Sequence, residues 1–280
     1  MVMAPSLFED NYGDILKKAL FGLGLGESAA AAQSGVSPST LKLMLEGHPG
    51  PDRTALEQLA VTLKLSPGKL VRLSANQDLP RQIDLPPNIE LLEYPGNSSA
   101  NCYLVRCPKS MTSFVIDPGG NPGPIMEKAA NQGYKFTAMF LTHGHSDHTG
   151  GAGEISSTLG IPALALDQEK GCIQGGVRAT FVKNGYALRT KSFTLRFIHV
   201  PGHTPGHGIV FGEDIGVAFT GDALFARSIG YAFESGGTYQ AQLAAVRELV
   251  LELPWETIIC PGHGPLTTVA DEKALNAFFP

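Results

Sequence analysis

Histidine and aspartate residues crowd into one short loop of this sequence, Thr-His-Gly-His-Ser-Asp-His. The loop directly follows an apolar, strand-like segment and opens a helical one, so its polar side chains lie at the C-terminal end of a strand. His143 and His145 are two residues apart, and in extended chain such residues point to the same side. Asp147 and His148 can turn back towards them as the helix begins. Imidazole nitrogens and carboxylate oxygens grouped in this way are typical metal ligands.

Three later residues each end another apolar run and sit in a glycine turn: His203, Asp222 and His263. Pro-Gly-His and Gly-Asp turns let the backbone bend sharply and bring a side chain next to an ion. A single buried histidine is ordinarily a hydrogen-bonded structural residue, and this is the role we assign to His199 and His207. Seven ionisable side chains in strand-end turns would be costly to bury without a metal. The sequence therefore predicts a metal site.

The spacing of these seven residues resembles the motif set of the metallo-β-lactamase superfamily, over roughly 89–280. The resemblance implies an α/β fold, the αββα sandwich of that superfamily. It also implies two divalent metal ions, the first on His143, His145 and His203, the second on Asp147, His148 and His263, with Asp222 bridging both. Since the ligands are nitrogen and oxygen without thiolate, zinc is the first expectation, and iron and manganese also suit them.

Two such ions favour hydrolysis. About 3.5 to 4 Å apart, they can share a hydroxide, lower the pKa of its parent water and polarise the bond under attack. On this interpretation Asp222 positions the bridging hydroxide and Asp147 orients the attacking oxygen, so both are predicted catalytic residues. The chain lacks the Gly-x-Ser-x-Gly elbow of a serine hydrolase.

Two stretches, 220–230 and 261–268, resemble the glyoxalase II group of the superfamily. This resemblance implies a small thioester or ester substrate. Glyoxalase II proper adds a helical C-terminal domain with basic residues for glutathione, whereas this chain ends soon after its last candidate ligand, so dependence on glutathione is not expected. Phe225, Arg227 and Tyr231 are predicted to line the substrate pocket.

Two other reactions remain open on the ligands alone. A lactonase would use the same hydroxide on a cyclic ester. A persulfide dioxygenase would keep one iron on His143, His203 and Asp222, which would make the protein an oxidoreductase. The number and identity of the metals, together with oxygen consumption, separate that alternative from a hydrolase.

The composition is that of a globular protein with an ample core. Of 280 residues, 43% are hydrophobic and 17% charged, and the net charge of −5 offers no general attraction to nucleic acid or an anionic membrane. No apolar run reaches the roughly 18 residues of a membrane span, and the N-terminus lacks a signal-peptide pattern, so a cytoplasmic protein is expected. The 4 cysteines form no CxxC pair and suit ordinary core positions.

The pattern of the chain changes near residue 80. Residues 1–78 are predicted to form a small all-helical domain, and 79–88, with three prolines, a stiff linker. The catalytic domain is predicted over 89–280, where strand-like and helical segments mix. Strands are predicted at 102–106, 114–116, 136–141 and 193–200, and helices at 124–132, 146–159, 239–253 and 271–279.

Residues 28–41 resemble the two helices and glycine turn of phage-repressor-type helix-turn-helix domains. The resemblance implies a recognition helix whose Ser39, Thr40 and Lys42 face a groove of duplex DNA. The net charge of this part gives DNA binding little support, because residues 14–73 include seven basic and five acidic side chains. An equal alternative is a helical module that forms a homodimer or packs over the rim of the active site.

Overall fold

Five short helices form the N-terminal part of the protein. The computed structural model describes residues 8–92, 100–131, 133–173, 177–232 and 237–280. The five helices are α1 (Tyr12–Gly22), α2 (Glu27–Ser34), α3 (Pro38–Leu45), α4 (Arg53–Thr62) and α5 (Pro67–Ser74). Side-chain caps begin several of them: Asn11 accepts hydrogen bonds from the N–H groups of Gly13 and Asp14, and Ser37 accepts one from Thr40.

Two six-stranded sheets follow. The first has the order β1-β2-β3-β4-β5-β6 and the second β12-β11-β10-β9-β8-β7. Strands β3 to β6 run parallel, as do β10 and β11, and the other neighbours are antiparallel. The strands are β1 (Ile89–Leu92), β2 (Cys102–Cys107), β3 (Thr112–Ile116), β4 (Lys135–Phe140), β5 (Ala163–Leu166), β6 (Ala179–Val182), β7 (Ala187–Arg189), β8 (Thr194–His199), β9 (Gly208–Gly212), β10 (Val217–Gly221), β11 (Ile258–Pro261) and β12 (Thr267–Thr268).

The two sheets pack face to face through aromatic and aliphatic side chains. The rings of Tyr103 and Phe219 lie 5.2 Å apart between centroids, and those of Phe140 and Phe197 lie 5.3 Å apart. All four side chains are buried, so this inner layer is a continuous apolar core. The helices between strands are α6 (Gly123–Asn131), α7 (Ser146–Thr149), α8 (Ala152–Leu159), α9 (Tyr239–Ala245), which continues as a π turn (Val246–Val250), and α10 (Val269–Leu275).

Helices cover the outer faces, which completes the predicted α/β sandwich. On the first sheet, Val115 and Met139 share an apolar cluster with Ile125 of α6 and Ile155 of α8. The second sheet shares its outer cluster with α9, α10 and the N-terminal helices. The predicted fold class, an αββα sandwich preceded by helices, is therefore confirmed.

The N-terminal helices and the second sheet belong to one hydrophobic cluster. Leu16 of α1 and Leu59 of α4 are fully buried in the cluster that also holds Ile209 and Ala218 of the sheet. A backbone hydrogen bond of 2.8 Å from the Ser66 amide to the Ala277 carbonyl adds a direct link. The stretch 79–88 contains no helix or strand.

One predicted element differs in its detail. The sequence pattern predicts a single helix over 146–159, but the structure divides it into α7 and α8 at Gly150 and Gly151. The Gly151 amide donates to the Gly119 carbonyl at 2.7 Å, and a side chain at Gly150 would meet the Ser146 carbonyl at 2.8 Å. The break thus turns α7 towards the loop after β3. No helix in the described part of the chain combines the length and the apolar character needed to cross a bilayer.

Candidate dinuclear metal centre

All seven predicted ligands lie at one edge of the sandwich, where several strands end. The loop after β4 holds four of them, and the turns after β8, β10 and β11 hold one each. Strands β8, β10 and β11 run in the same direction in the second sheet, so the turns that follow them meet at one edge, and the loop after β4 of the first sheet lies against them. Two of the groups that could hold an ion are His143, His145, His203 and Asp147, His148, His263, with the ligand atoms of each group within 4.8 Å of one another.

In the first group three imidazole nitrogens converge. His143 Nε2 lies 3.0 Å from His145 Nδ1, and His203 Nε2 lies 3.1 Å and 2.9 Å from these two atoms. A tetrahedral ion with bonds of about 2.0–2.1 Å separates its ligands by roughly 3.4 Å. The observed spacing is close to that value, and the donor set fits a divalent metal.

The second group lies nearer the solvent. His263 Nε2 is 3.2 Å from Asp147 Oδ2, and His148 Nε2 is 3.7 Å from the same oxygen. His148 is fully buried, whereas the side chain of Asp147 is 35% exposed. A metal ion held by this group would therefore be accessible to a molecule that enters from the solvent.

Asp222 stands between the two groups. Its Oδ1 lies 3.2 Å from His148 Nε2 and 3.7 Å from His263 Nε2, while its Oδ2 lies 3.6 Å from His203 Nε2. Each carboxylate oxygen thus faces a different group of ligands. This is the arrangement that a carboxylate shared by two ions requires.

Two unsatisfied atoms mark the same place. Among the described residues, His148 Nε2 and Asp222 Oδ1 are buried without a hydrogen-bond partner, although they face each other. Native proteins seldom leave such atoms unpaired unless an ion or water completes them. The residues present therefore fit a metal pair.

The electrostatics around His143, His203 and Asp222 favour the forms that bind metal. Burial, together with neighbouring histidines, holds the pKa of His143 well below its ordinary value, and burial lowers the pKa of His203 to about 4. Burial would raise the pKa of Asp222, but His148 and other histidines outweigh it and hold that pKa well below its usual range. Neutral imidazoles and an ionised carboxylate are the species that coordinate metals.

Two buried carboxylates outside the predicted set support the ligands. Asp117 accepts hydrogen bonds from His148 Nδ1 at 2.9 Å and from the amide and hydroxyl of Thr142 at 2.8 and 2.7 Å. Glu169 accepts from the Gly144 amide and the Thr204 hydroxyl, each at 2.8 Å, and so joins two ligand loops. Such partners fix the orientation and tautomer of ligands. The sequence signal for Asp117 is its place directly after β3, whereas Glu169 ends the short 3₁₀ turn after β5.

His199 and His207, which flank His203 in the sequence, are not in the ligand groups. His207 is buried, and its Nε2 accepts a hydrogen bond from the Asp222 amide at 3.2 Å. His199 is paired with the Pro205 carbonyl at 2.9 Å. Both contacts fit the structural role that the sequence suggests.

The turn after β11 packs closely against Asp222. A Cβ on Gly262 would lie 2.4 Å from Asp222 Oδ1, so this position requires glycine.

A cavity of about 510 Å³ opens onto the metal ligands. Phe225 and Tyr231, two of the predicted substrate residues, line it together with Glu9, Asp10 and Lys18 of the N-terminal part. The sequence left open that the helical part packs over the rim of the active site, but it did not identify these three residues, because they are far from the ligands along the chain.

Arg227, the third predicted substrate residue, is not part of the cavity lining. Its guanidinium is buried, donates to Glu272 Oε1 at 2.5 Å and lies 5.6 Å from the centroid of the Phe8 ring. A buried carboxylate partner therefore turns this side chain into the protein. The predicted DNA-contacting residues on α3 are also outside the cavity: Ser39 and Lys42 are exposed and Thr40 is half-buried.

Comparisons with known proteins agree with this fold. The sequence profile described as metallo-beta-lactamase superfamily matches residues 95–263. Hydroxyacylglutathione hydrolase GloC of Haemophilus influenzae is 28% identical over 208 residues, which cover 68% of this chain and 97% of that protein. Among solved structures, BLEG-1 B3 metallo-beta-lactamase is 28% identical with a TM-score of 0.63, covering 68% of this chain and 98% of its own. The protein TTHA1623, solved in a di-iron-bound form, is 28% identical with a TM-score of 0.58, covering 66% and 98%.

Proposed function

This chain belongs to the metallo-beta-lactamase superfamily, and from that membership we propose that the protein is a metal-dependent hydrolase of a small thioester or ester. The observation that carries the proposal is the convergence of two groups of ligands on one cavity, with Asp222 between them. The fold family binds divalent metals, and this donor set suits zinc, iron or manganese.

The side chains divide into those that hold metal and those that handle substrate. His143, His145 and His203 would hold one ion, and the second group the other, with Asp222 shared. When bound, two such ions polarise the bond under attack and lower the pKa of water. Asp147 lines the cavity and its side chain is 35% exposed, so its carboxylate can orient an attacking water molecule towards an acyl carbon.

The walls of the cavity support a substrate with an apolar part. Phe225 and Tyr231 present aromatic rings to the space beside the ligands, where they can pack against a short acyl chain and exclude bulk water. The Asp10 and Lys18 side chains form an ion pair, and Glu9 adds a second carboxyl group to this wall, the pKa of which burial raises. This wall favours substrates without carboxylates.

The expectation that glutathione is not required stays a proposal. The side chain of Arg227 is held by Glu272 and supplies no cation to the cavity, which supports a substrate other than a glutathione conjugate. The relative from Haemophilus influenzae weighs the other way, because a protein matched over 97% of its length bears the name hydroxyacylglutathione hydrolase. The choice between the two is a matter for kinetics.

Steady-state kinetics with S-lactoylglutathione and an S-lactoyl thioester of a short neutral thiol test this proposal. We expect the short thioester to be cleaved with the higher kcat/KM, and metal-depleted protein to cleave neither. Strong preference for the glutathione conjugate would overturn the proposed substrate class. No hydrolysis of either compound by the metal-loaded protein would overturn the assignment to thioester hydrolysis, and lactones then become the next substrates to test.

Metal analysis addresses the oxidoreductase alternative. Two metal ions per chain and no oxygen consumption are expected of the hydrolase, whereas a persulfide dioxygenase would hold one iron on His143, His203 and Asp222. The geometry favours the first, because the Asp147, His148 and His263 group offers a second complete set of ligands. One iron per chain with persulfide-dependent oxygen uptake would contradict the hydrolase proposal.

A second candidate function is duplex DNA binding by α2 and α3. Helix α2 ends at Ser34, the Gly35 after it is left-handed at φ 72°, and α3 begins at Pro38, so two short helices flank a glycine turn with Ser39 and Lys42 exposed. Because the helices share a core with the sheet, the full chain is the sample to test. Salt-dependent binding that Ser39→Ala/Thr40→Ala/Lys42→Ala weakens would support the proposal. No binding at low salt would remove it, and sedimentation of the same sample would detect a homodimer.

A further inference from the structure

Helix α1 reaches the loop after β10, which carries the ligand Asp222 and contacts the ligand His203. Lys18 is 4% exposed, and its ammonium donates to the Ile229 carbonyl at 2.7 Å and to Ser228 Oγ at 3.4 Å, and forms an ion pair with Asp10. It also lies 4.8 Å from the centroid of the Tyr231 ring. An ammonium has three donors, and three acceptors surround this one. Lys18 is therefore engaged with the protein rather than free for a substrate anion.

The residues next to Ile229 hold the ligands directly. The Gly230 amide donates to the Asp222 carbonyl at 3.0 Å, and the Tyr231 carbonyl is 2.5 Å from His203 Nδ1. A carbonyl partner requires the proton to be on Nδ1, which leaves Nε2 of His203 free to coordinate an ion. The position of 229–231 therefore sets the tautomer of one ligand and the backbone of another.

From these contacts we propose that Lys18 is a positioning residue of the metal centre, which holds 228–231 in the place where Tyr231 orients His203 and Gly230 supports Asp222. The inference rests on the proposed metal site, but not on the proposed substrate. A buried ion pair is weak evidence that the folded state is stabilised. When the hydrogen bonds of the ammonium are complete, as those of Lys18 are, the pair holds the groups around it in a fixed geometry. The N-terminal helices thereby complete the active site, with Glu9, Asp10 and Lys18 in its wall.

The test is the zinc affinity of the full-length protein. Lys18→Met alone would leave Asp10 buried without a partner and could unfold the chain, so Asp10→Asn/Lys18→Met removes both charges together. Metal-free protein is titrated with zinc against a chromophoric chelator, alongside urea unfolding. We expect the double variant to bind zinc about 10- to 100-fold more weakly, as loss of an orienting partner does elsewhere, with kcat reduced more than KM is changed.

Two variants control for charge and for the helix. Lys17, the neighbour on α1, is exposed and paired with Asp14, and Lys17→Met should leave zinc affinity unchanged. Lys18→Arg keeps the charge and the pairing with Asp10, and should bind zinc more tightly than the double variant. A folded double variant with the zinc affinity of the unsubstituted protein would overturn the inference.

Hydrogen exchange of the unsubstituted protein gives a test that no folding defect can obscure. Adding zinc to the metal-free protein should increase protection of the amides in 228–231 and in 10–20 together, because Lys18 links them. Protection of the loop without protection of α1 would overturn the inference. Since zinc is the probe, inactivity on every thioester would refute the proposed substrate and leave this result intact.

Discussion

Asp222 differs from the other six candidate ligands because each of its oxygens faces a different group. Oδ1 is directed at His148 and His263, and Oδ2 at His203. The side chain is nearly buried, and the Asp222 backbone carbonyl also accepts a hydrogen bond from Gln242 Nε2 at 3.0 Å. Removing the charge should therefore disturb the chemistry more than the fold.

We predict that Asp222→Asn lowers kcat at least about a hundredfold with a far-UV circular dichroism spectrum like that of the unsubstituted protein. The amide has the volume of the carboxylate but offers a single acceptor oxygen, so it cannot serve two ions. Metal content measured by mass spectrometry should fall below two ions per chain. The exposed Asp167→Asn is the control, and retained activity in Asp222→Asn would refute the two-metal mechanism.

Asp117 provides the prediction for a supporting residue. Its two oxygens accept three hydrogen bonds, from Thr142 and from His148 Nδ1, so an amide must lose at least one of them. We expect Asp117→Asn to weaken zinc affinity about 10- to 100-fold. Chelator competition measures this, and Asp167→Asn again serves as the control. Unchanged affinity would mean that His148 needs no carboxylate to hold its orientation.

At the scale of the elements, the ends of the strands bring the site together. Strands β10 and β11 are parallel neighbours, and the turns that follow them carry Asp222 and His263. The Gly262 amide donates to the Gly221 carbonyl at 2.9 Å, which draws these two turns into contact. The approach is possible because neither glycine has a side chain at the point where the turns meet.

Gly262→Ala tests that close approach. The added Cβ would lie 2.4 Å from Asp222 Oδ1 and 2.6 Å from His148 Cε1, so at least one of the ligands must move. We expect loss of most metal binding and activity, measured by zinc titration and turnover. The matched control is Gly153→Ala on α8, where the new Cβ meets open space and should stabilise the helix by about 0.5–1 kcal/mol. Normal zinc affinity in Gly262→Ala would show that the turns can part.

At the scale of the whole molecule, the helical part and the sandwich share one apolar cluster. Leu16 of α1 and Ala218 of β10 are members of it, and both are fully buried. Hydrogen bonds from Lys69 to the carbonyls of Lys273 and Phe279 add to the contact. Division of the chain at 79–88 remains a prediction about folding, since the irregular linker does not by itself make the two parts independent.

A core substitution in α1 distinguishes independent domains from one cooperative unit. Leu16→Ala should lower the free energy of unfolding by roughly 2–5 kcal/mol, since it leaves a cavity in a buried cluster. If the unit is cooperative, hydrogen exchange in urea will show the same loss for the amides of β10 (Val217–Gly221) as for those of α1. Leu43→Ala, at a residue 50% exposed, is the control. Unchanged protection of β10 in Leu16→Ala would favour separate domains.

The sequence by itself indicated the seven candidate ligands and several of the strands that precede them. Each ligand lies in the loop or turn that follows an apolar strand. Such a pattern involves only neighbouring residues, so it can be recognised without knowing how the elements pack. The αββα class follows from the same local signals together with the family resemblance. The division of one predicted helix at Gly150 is the kind of boundary that a helical pattern alone does not reveal.

Only the tertiary structure decided which distant residues complete the site. Lys18 reaches Ile229 across more than two hundred positions of sequence, and Glu169 joins two loops that no local pattern relates. Arg227 follows Phe225 by two residues, yet only the position of Glu272 on α10 turns it away from the cavity. These placements depend on packing between elements, where burial and charge pairing act over long separations in sequence.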